Sequence, residues 1–362
     1  MHRRKLLALA GSSLAFLTLG FKDVGANEYR VSAPIVHENL AIYLVQGRSA
    51  PGPVPLTLAE AMVKQAVRVH ETGNVSELQI ENLGTDEVFV QAGDIVKGGK
   101  QDRVLTVSLI LPPKSGKIAI ASLCVEQGRW TARGKEDVTT FATASAAVPS
   151  REAKLAMRAP AAPVVDRPVN QPMTTAVIGR VNTRVGYVTE GSSAQQKVWD
   201  NVRKVQQGLS SNLGTTVNAA ASGTSLQLAL ENEKLKDAQR GYITALQTAA
   251  EKDGDVVGYI FAINGKLNSA EVYPSNGLFR KMWPKLLQAS VTEAIGQKNG
   301  DKDATPTGEA ALAFLDAAAK GQPSEKTLTK EVRLETRNAE KAFYFETRRA
   351  SGGWVHRSYL AK

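Results

Sequence analysis

The residues best suited to chemistry in this chain stand in two short groups, each at the end of a predicted strand. Both groups mix acids with bases, and the second holds the only cysteine of the 362 residues. Their members are Asp94, Lys97, Lys100, Asp102, Arg103, Cys124, Glu126, Arg129 and Trp130. We expect the two groups to lie side by side on one lobe and to form the site of any activity.

Cys124 is the first candidate for catalysis, as a nucleophile beside Arg129. Its spacing to Arg129 is too short for a tyrosine-phosphatase loop, and it does not match a rhodanese loop either. No histidine stands near it in the sequence to activate the thiol. The alternative is that Cys124 is a small apolar residue buried in a strand.

Acid–base chemistry is the second candidate, carried by the carboxylates Asp94, Asp102 and Glu126. If their strands are neighbours, this cluster of carboxylates would act as general acid and base on a glycan or an ester. The alternative is a network of ion pairs that fixes the ends of the strands. The sequence leaves both open, so a hydrolase using Glu126 or Cys124 remains the alternative function.

Anion binding is the third candidate and the one we expect. The segment Lys97-Gly98-Gly99-Lys100 places two bases around a glycine pair, although a plain hairpin explains the glycines as well. It is not a nucleotide-binding P-loop, because Gln101 follows Lys100. The predicted ligand-binding residues are Lys100, Asp102, Arg103, Arg129 and Trp130, with the bases contacting an anionic group and Trp130 forming an apolar wall.

Metal and cofactor sites are not predicted. The histidines that follow residue 26 are His37, His70 and His356, and none belongs to a His-x-x-x-His or Cys-x-x-Cys pattern. Nucleic acid is not an expected partner, because the net charge of +10 is dispersed among acids rather than clustered. The expected partner is an anionic small molecule or an envelope protein.

Residues 1–26 predict a signal peptide, with a basic start, an apolar stretch and small residues before Asn27. The expected location is the periplasm or the outside of the cell. After removal of this segment no apolar run is long enough to span a membrane. With one cysteine, the exported chain has no internal disulfide and depends on its core.

The elements that must position these residues predict an α+β fold. Residues 27–145 predict a β-rich lobe with one short helix, which Thr57 and Glu60 begin as a capping box. Residues 146–190 predict a proline-rich linker or insertion. Residues 191–362 predict a helical and mixed α/β lobe ending in an antiparallel meander.

Four local predictions can be compared directly with coordinates. The run Val104–Leu111 predicts one strand, and Leu226–Glu251 predicts one helix from its apolar repeat. Asn264 and Gly265 predict a tight hairpin turn. The meander is expected to have three strands, of which the first covers Thr327–Thr336.

Several stretches of the chain also follow a known family pattern. They are Leu56–Ala61, Gly93-Asp94, Lys100–Arg103, Cys124–Trp130, Gln196–Trp199, Gly258–Gly265, Leu278-Phe279 and Trp283–Leu287. On these residues the chain resembles the ARG-and-rhodanese-phosphatase-superfamily-associated domain, a bacterial family of unknown function. The family brings no catalytic residues that can be carried over, so the resemblance supports the choice of residues and boundaries only.

Overall fold

The computed structural model describes residues 28–142, 145–157, 190–251 and 254–362, and the side chains of 190–193 are not described. The predicted signal peptide and most of the proline-rich segment lie outside these residues. The described chain has the expected α+β fold, with a β-rich first half and an antiparallel meander at its end.

The described strands form three sheets. The strands are β1 Arg30–Val31, β2 Ile35–His37, β3 Leu40–Gln46, β4 Leu56–Thr57, β5 Val67–Glu71, β6 Glu77–Asn82, β7 Val88–Val90, β8 Asp94–Val96, β9 Arg103–Leu105, β10 Leu109–Leu111, β11 Gly116–Cys124, β12 Ala146–Ala147, β13 Val256–Ile263, β14 Lys266–Val272, β15 Gln322–Thr329, β16 Val332–Asn338, β17 Ala342–Arg349 and β18 Trp354–Ala361. The helices are α1 Leu58–Val63, α2 Arg151–Met157, α3 Glu190–Leu213, α4 Leu226–Leu230, α5 Glu233–Leu246, α6 Asn276–Gly296 and α7 Gly308–Ala319.

The largest sheet has the order β1-β3-β13-β14-β18-β17-β16-β15, with β2 pairing on β3. Its strand β13 is buried at every position, because helices cover both faces. Tyr259 packs against Trp283 of α6 on one face, whereas Ile260 shares a core with Leu315 of α7 on the other. This explains why β13 is apolar throughout instead of alternating.

Of the two smaller sheets, the six-stranded one carries the predicted site, because β8, β9 and β11 hold Asp94, Arg103 and Cys124. One has the order β12-β8-β9-β11-β6-β5 and the other β10-β7-β4. Strands β1, β2 and β3 belong to the large sheet with β13, so this one sheet contains strands from both predicted lobes, residues 27–145 and 191–362. Of the helices in the described part of the chain, none combines the length and apolar character that crossing a bilayer requires.

Two local predictions are confirmed. Thr57 accepts a hydrogen bond from the backbone N–H of Glu60, whose side chain accepts one from the N–H of Thr57, so α1 begins with a capping box. Asn264 and Gly265 have φ values of 52° and 78°, as the tight turn between β13 and β14 requires.

Three others are wrong. The run Val104–Leu111 is two strands in different sheets, because its first part pairs with β11 whereas Leu109–Leu111 pairs with β7. The helix predicted for Leu226–Glu251 ends at Leu230 and restarts at Glu233, because Asn232 caps the new helix with its side chain. The meander has four strands, because the chain turns between β15 and β16. That turn contains no Gly or Pro, so the sequence holds no signal for it.

Candidate functional site

The two groups of charged residues lie side by side. Strands β9 and β11 pair antiparallel with Arg103 opposite Cys124, and the N–H of Val125 donates to the carbonyl of Asp102 at 2.9 Å. Arg129 closes the gap between the turns by donating to the carbonyls of Gly98 at 3.0 Å and Gly99 at 2.9 Å. The pairing of the two strands therefore sets the distance between the groups.

Asp102 is fully buried and surrounded by donors. The N–H of Gly98 donates to Oδ1 at 2.9 Å, and the hydroxyl of Ser225, the N-cap of α4, donates to Oδ2 at 2.6 Å. Arg133 donates from both terminal nitrogens, at 3.0 Å each. The carboxylate of Asp102 therefore has its hydrogen-bonding capacity filled by the protein.

Glu126 is equally buried and completes the same network. It accepts from the N–H of Asp102 at 3.0 Å, from Nε of Arg129 at 2.8 Å and from Arg133 at 3.3 Å. Burial lowers the pKa of Arg133, but Asp102, Glu136 and Glu126 raise it by more, so the net pKa lies above its ordinary value. Arg133 therefore remains a cation between Asp102 and Glu126.

Arg103 is the largest fully buried side chain of the described residues. Its guanidinium lies 3.3 Å from the carboxylate of Glu71 and donates to the carbonyl of Val75 at 2.9 Å. It also contacts the sulfur of Cys124. Its charge is directed into the protein rather than towards solvent.

Cys124 has no exposed face. Burial raises the pKa of its thiol to about 11, and the charge of Arg103 offsets only part of that effect. The side chain of Gln195 holds the backbone N–H and carbonyl of Cys124 at 2.8 Å each. A protonated, enclosed thiol is a poor nucleophile.

The other predicted residues separate from this network. Asp94 is buried in an ion pair with Lys285 of α6, and Lys97 donates to both carboxylate oxygens of Glu231 at 2.8 and 2.9 Å. Lys100 is partly exposed and Trp130 is 49% exposed at the surface. Five of the predicted residues thus lie together in the structure: Asp102, Arg103, Cys124, Glu126 and Arg129. The other four lie outside this group: Asp94, Lys97, Lys100 and Trp130.

Sequence reasoning missed Arg133, Ser225 and Glu71, which together complete the network. Ser225 carries a local signal, because a serine before an apolar run is typical of an N-cap. Arg133 and Glu71 carry none, because their partners are distant in sequence. The described residues contain no group of three or more His, Cys, Asp or Glu side chains placed to hold a metal ion.

A second buried chain of polar groups has the distances of a catalytic triad. The hydroxyl of Ser108 lies 3.0 Å from Nδ1 of His356, whose Nε2 lies 3.0 Å from Glu271, and Lys154 approaches that carboxylate at 3.3 Å. Each of these side chains is more than nine-tenths buried, and none lines a described pocket. These contacts join the residue before β10 to β18 and β14 inside the protein.

An open pocket of about 460 Å³ lies elsewhere, between α2, α3, α6 and the β13–β14 turn. We call it the Arg151 pocket. Its polar lining includes Arg151, Asn212, Asn264, Lys266, Asn268 and Asn299. The Nε of Arg151 is buried there and has no hydrogen-bond partner among the described residues.

The guanidinium of Arg151 has no ion pair with a described carboxylate. Glu293 contacts the backbone of Arg151 instead: its Oε1 accepts from the N–H of Arg151 at 3.1 Å, from Asn268 at 2.9 Å and from Gln297 at 3.3 Å. Lys266 lies 3.7 Å from Asp303, a loose and exposed pair. The pocket thus contains a guanidinium without a counterion and several side-chain amides.

A comparison with protein-family models gives one match. The family described as ARG and Rhodanese-Phosphatase-superfamily-associated Protein domain matches residues 28–360. The matched range begins before β1 and ends within β18, so it takes in all three sheets and the predicted site. No curated protein and no solved structure matches the chain.

Proposed function

The chain belongs to the ARG and Rhodanese-Phosphatase-superfamily-associated Protein domain family, and we propose that it is an exported binding protein for a small anion. The ligand carries a carboxylate or a phosphate and occupies the Arg151 pocket. The observation that carries this proposal is the half-buried guanidinium of Arg151, which lines a 460 Å³ space and has no hydrogen bond or ion pair to a described residue. A guanidinium donates in a planar fork that fits both kinds of anion.

Size and charge support an anion of this kind. A volume of 460 Å³ falls within the range of small-molecule sites. Arg151 and Lys266 bring two positive charges to the lining against the single carboxylate of Asp301. The neighbouring side-chain amides supply further neutral donors and acceptors, which would orient the ligand without opposing its charge.

The two turns are less suited to the same ligand, although Lys100, Asp102, Arg103, Arg129 and Trp130 were the expected contacts. An anion there would compete with Asp102 and Glu126, which already occupy Arg129 and Arg133. Removing a buried carboxylate from its partners leaves an uncompensated charge, which costs several kcal/mol. We therefore place the ligand in the Arg151 pocket and give the turns a structural role.

The alternative of a hydrolase gains no support. The thiol of Cys124 has a pKa raised to about 11 by burial, against the charge of Arg103. Glu126 accepts hydrogen bonds on both of its oxygens and is fully buried. Neither group has the access to substrate that general acid–base or covalent catalysis requires.

Isothermal titration of the chain beginning at Asn27 tests the proposal, with inorganic phosphate, acetate, succinate and citrate as probes and acetamide as the neutral control. We expect at least one anion to bind and Arg151→Gln to weaken it about tenfold or more, which corresponds to losing one charge-assisted contact. Arg48→Gln, at an exposed arginine outside the pocket, should bind as the parent does. Equal binding by both variants would refute the assignment.

A further inference from the structure

The lining of the Arg151 pocket carries opposite charges on separate parts of the chain. Arg151 begins α2, whereas Asp301 stands on the segment that follows α6, residues 297–301. Among the described residues, neither the guanidinium of Arg151 nor the carboxylate of Asp301 has an ion pair. Lys266 does not neutralise Asp301, because it lies 3.7 Å from the carboxylate of Asp303 instead. A cation and an anion thus line one space without pairing with each other.

The 297–301 segment also presents an amide oxygen of fixed direction. Asn212 donates from its amide nitrogen to the carbonyls of Ile295 and Gly296, at 2.9 Å each. The oxygen of Asn212 therefore accepts from the amide nitrogen of Asn299, at 2.6 Å, and neither amide can be rotated without losing these bonds. The oxygen of Asn299 accepts from no described residue and is left for a donor in the pocket.

Gln297 has the same polarity as Asn299. Its amide nitrogen donates to the carboxylate of Glu293 at 3.3 Å, and a rotated amide would place two oxygens together. Its own oxygen is therefore also an unused acceptor in the lining. The 297–301 segment thus contributes acceptors and a negative charge, whereas the guanidinium of Arg151 contributes donors and a positive charge.

This division of polarity narrows the class of ligand. An ammonium group is the complement of the 297–301 segment, because it donates three hydrogen bonds and accepts none. A hydroxyl group could meet the same oxygens, but the charge of Asp301 favours a cation. A second anionic group would face the carboxylate of Asp301 and be repelled. The pocket, of about 460 Å³, has room for an anionic group, an ammonium group and a short carbon chain between them.

We infer that the ligand of the Arg151 pocket is a small zwitterion, with an ammonium group close to its carboxylate or phosphate, as in a free amino acid. This inference rests on the proposed anion site and adds a second charged group to its ligand. The anionic end contacts Arg151. The ammonium end contacts Asp301 and the amide oxygens of Gln297 and Asn299.

Isothermal titration with matched pairs of ligands tests the inference. Glycine differs from acetate, aspartate from succinate, and 2-aminoethyl phosphate from ethyl phosphate by one added ammonium group. In the parent we expect the aminated member of at least one pair to bind about tenfold more tightly. The pair that shows this preference identifies the anionic group as a carboxylate or a phosphate.

Asp301→Asn removes the charge that the ammonium group would contact. It should reduce the preference for the aminated member about threefold or more, because an exposed ion pair contributes modestly, and it should not weaken binding of the plain anion. Arg151→Gln should weaken both members of the pair. Asp86→Asn, at an exposed aspartate outside the pocket, is the matched control and should keep the preference of the parent.

The outcomes separate this inference from the proposed function. If plain anions bind through Arg151 but no aminated partner binds more tightly, the anion site stands and the zwitterion is wrong. A preference that persists unchanged in Asp301→Asn overturns the inference as well. If the parent binds neither member of any pair, the proposed function and the inference both fail. The melting temperature of each variant shows that it is folded.

Discussion

Arg133 donates one hydrogen bond of 3.0 Å to each carboxylate oxygen of Asp102. The two side chains form a bidentate pair inside the protein, with 7% and 0% of their surfaces exposed. Ion pairs of this geometry are stronger than single contacts and specify a relative orientation. The pair therefore fixes the segment after Trp130 onto the turn between β8 and β9.

Arg133→Ala should lower the free energy of unfolding by about 3 kcal/mol, because Asp102 and Glu126 would share Arg129 as their remaining close cation. Arg133→Lys should have a free energy of unfolding between those of the parent and of Arg133→Ala, because a lysine restores the charge but not the planar pair of donors. Urea denaturation measures both. Arg48→Ala, at an exposed site, should change the value by no more than about 0.5 kcal/mol, and an equal effect at both arginines would contradict the prediction.

Ser225→Ala should cost more than the loss of an ordinary helix cap. Ser225 caps α4 and also donates to Asp102, so the substitution removes a cap worth about 1 kcal/mol and a buried bond to a charged group worth about 1.5–3 kcal/mol. Ser275→Ala removes a cap alone, at the start of α6. The difference in unfolding free energy between the two variants isolates the bond to Asp102. Equal losses would show that this bond contributes nothing.

Cys124 should resist thiol reagents in the folded protein. Burial raises the pKa of the thiol from 9.0 to about 11, so the thiolate is scarce at neutral pH. Ellman's reagent at pH 8 should react with the chain only after denaturation. Because the folded pKa is the higher one, this group's contribution to stability is complete below pH 9 and is lost as the pH rises towards 11. Rapid reaction of the native chain would refute the buried assignment.

Glu271 should make the protein sensitive to acid. Burial raises the pKa of its carboxyl, but Lys154 and His356 lower it by more, from 4.5 to about 2. Its contribution to stability, roughly 3 kcal/mol, is therefore complete above pH 4.5 and is lost as the pH falls towards 2.

Glu271→Gln should flatten the decline of unfolding free energy across that range, as measured by urea denaturation at several pH values. Glu340→Gln, at an exposed carboxylate, is the matched control and should leave the decline unchanged. A parent-like slope in Glu271→Gln would mean that other groups govern the acid transition.

Gly208→Ala should push α3 away from α6. A Cβ at Gly208 would lie 2.7 Å from the carbonyl oxygen of Gly296, which is closer than atoms approach without a backbone shift. We expect a loss of about 1–3 kcal/mol in stability and weaker anion binding, since both glycines line the Arg151 pocket. Gly223→Ala, where a Cβ meets nothing within 4 Å, should be neutral or slightly stabilising. Thermal unfolding and titration measure the two effects.

Local signals in the sequence predicted the elements that depend on neighbours in the chain. The capping box of Thr57 and Glu60 and the turn at Asn264 and Gly265 are of this kind, because the interacting groups lie within a few residues. The break inside Val104–Leu111 was missed, because every residue there is compatible with a strand and its two parts pair with different strands, β11 and β7. Such a change of partner has no local signature.

The sequence predicts which residues form the charged cluster, but not whether their charges face solvent or the interior of the protein. Residue types alone indicate that Asp102, Arg103, Glu126 and Arg129 suit both an open anion site and a closed network. The choice depends on Arg133 and on which face of β9 and β11 is covered, and both are tertiary facts. The Arg151 pocket carried no signal either, because its lining comes from separate helices and a turn.

The pairing of β3 with β13 joins Leu40 to Ile263, so these neighbouring strands of the large sheet come from distant parts of the chain. Strands β1 and β2 can pair with β3 early in synthesis, but the edge that β13 covers stays unpaired until Val256–Ile263 is made, and an unpaired apolar edge is prone to associate with other chains. A fragment ending before Val256 should therefore aggregate rather than fold. Co-expression of the missing part should restore the solubility of the fragment, because β13 would then pair with β3.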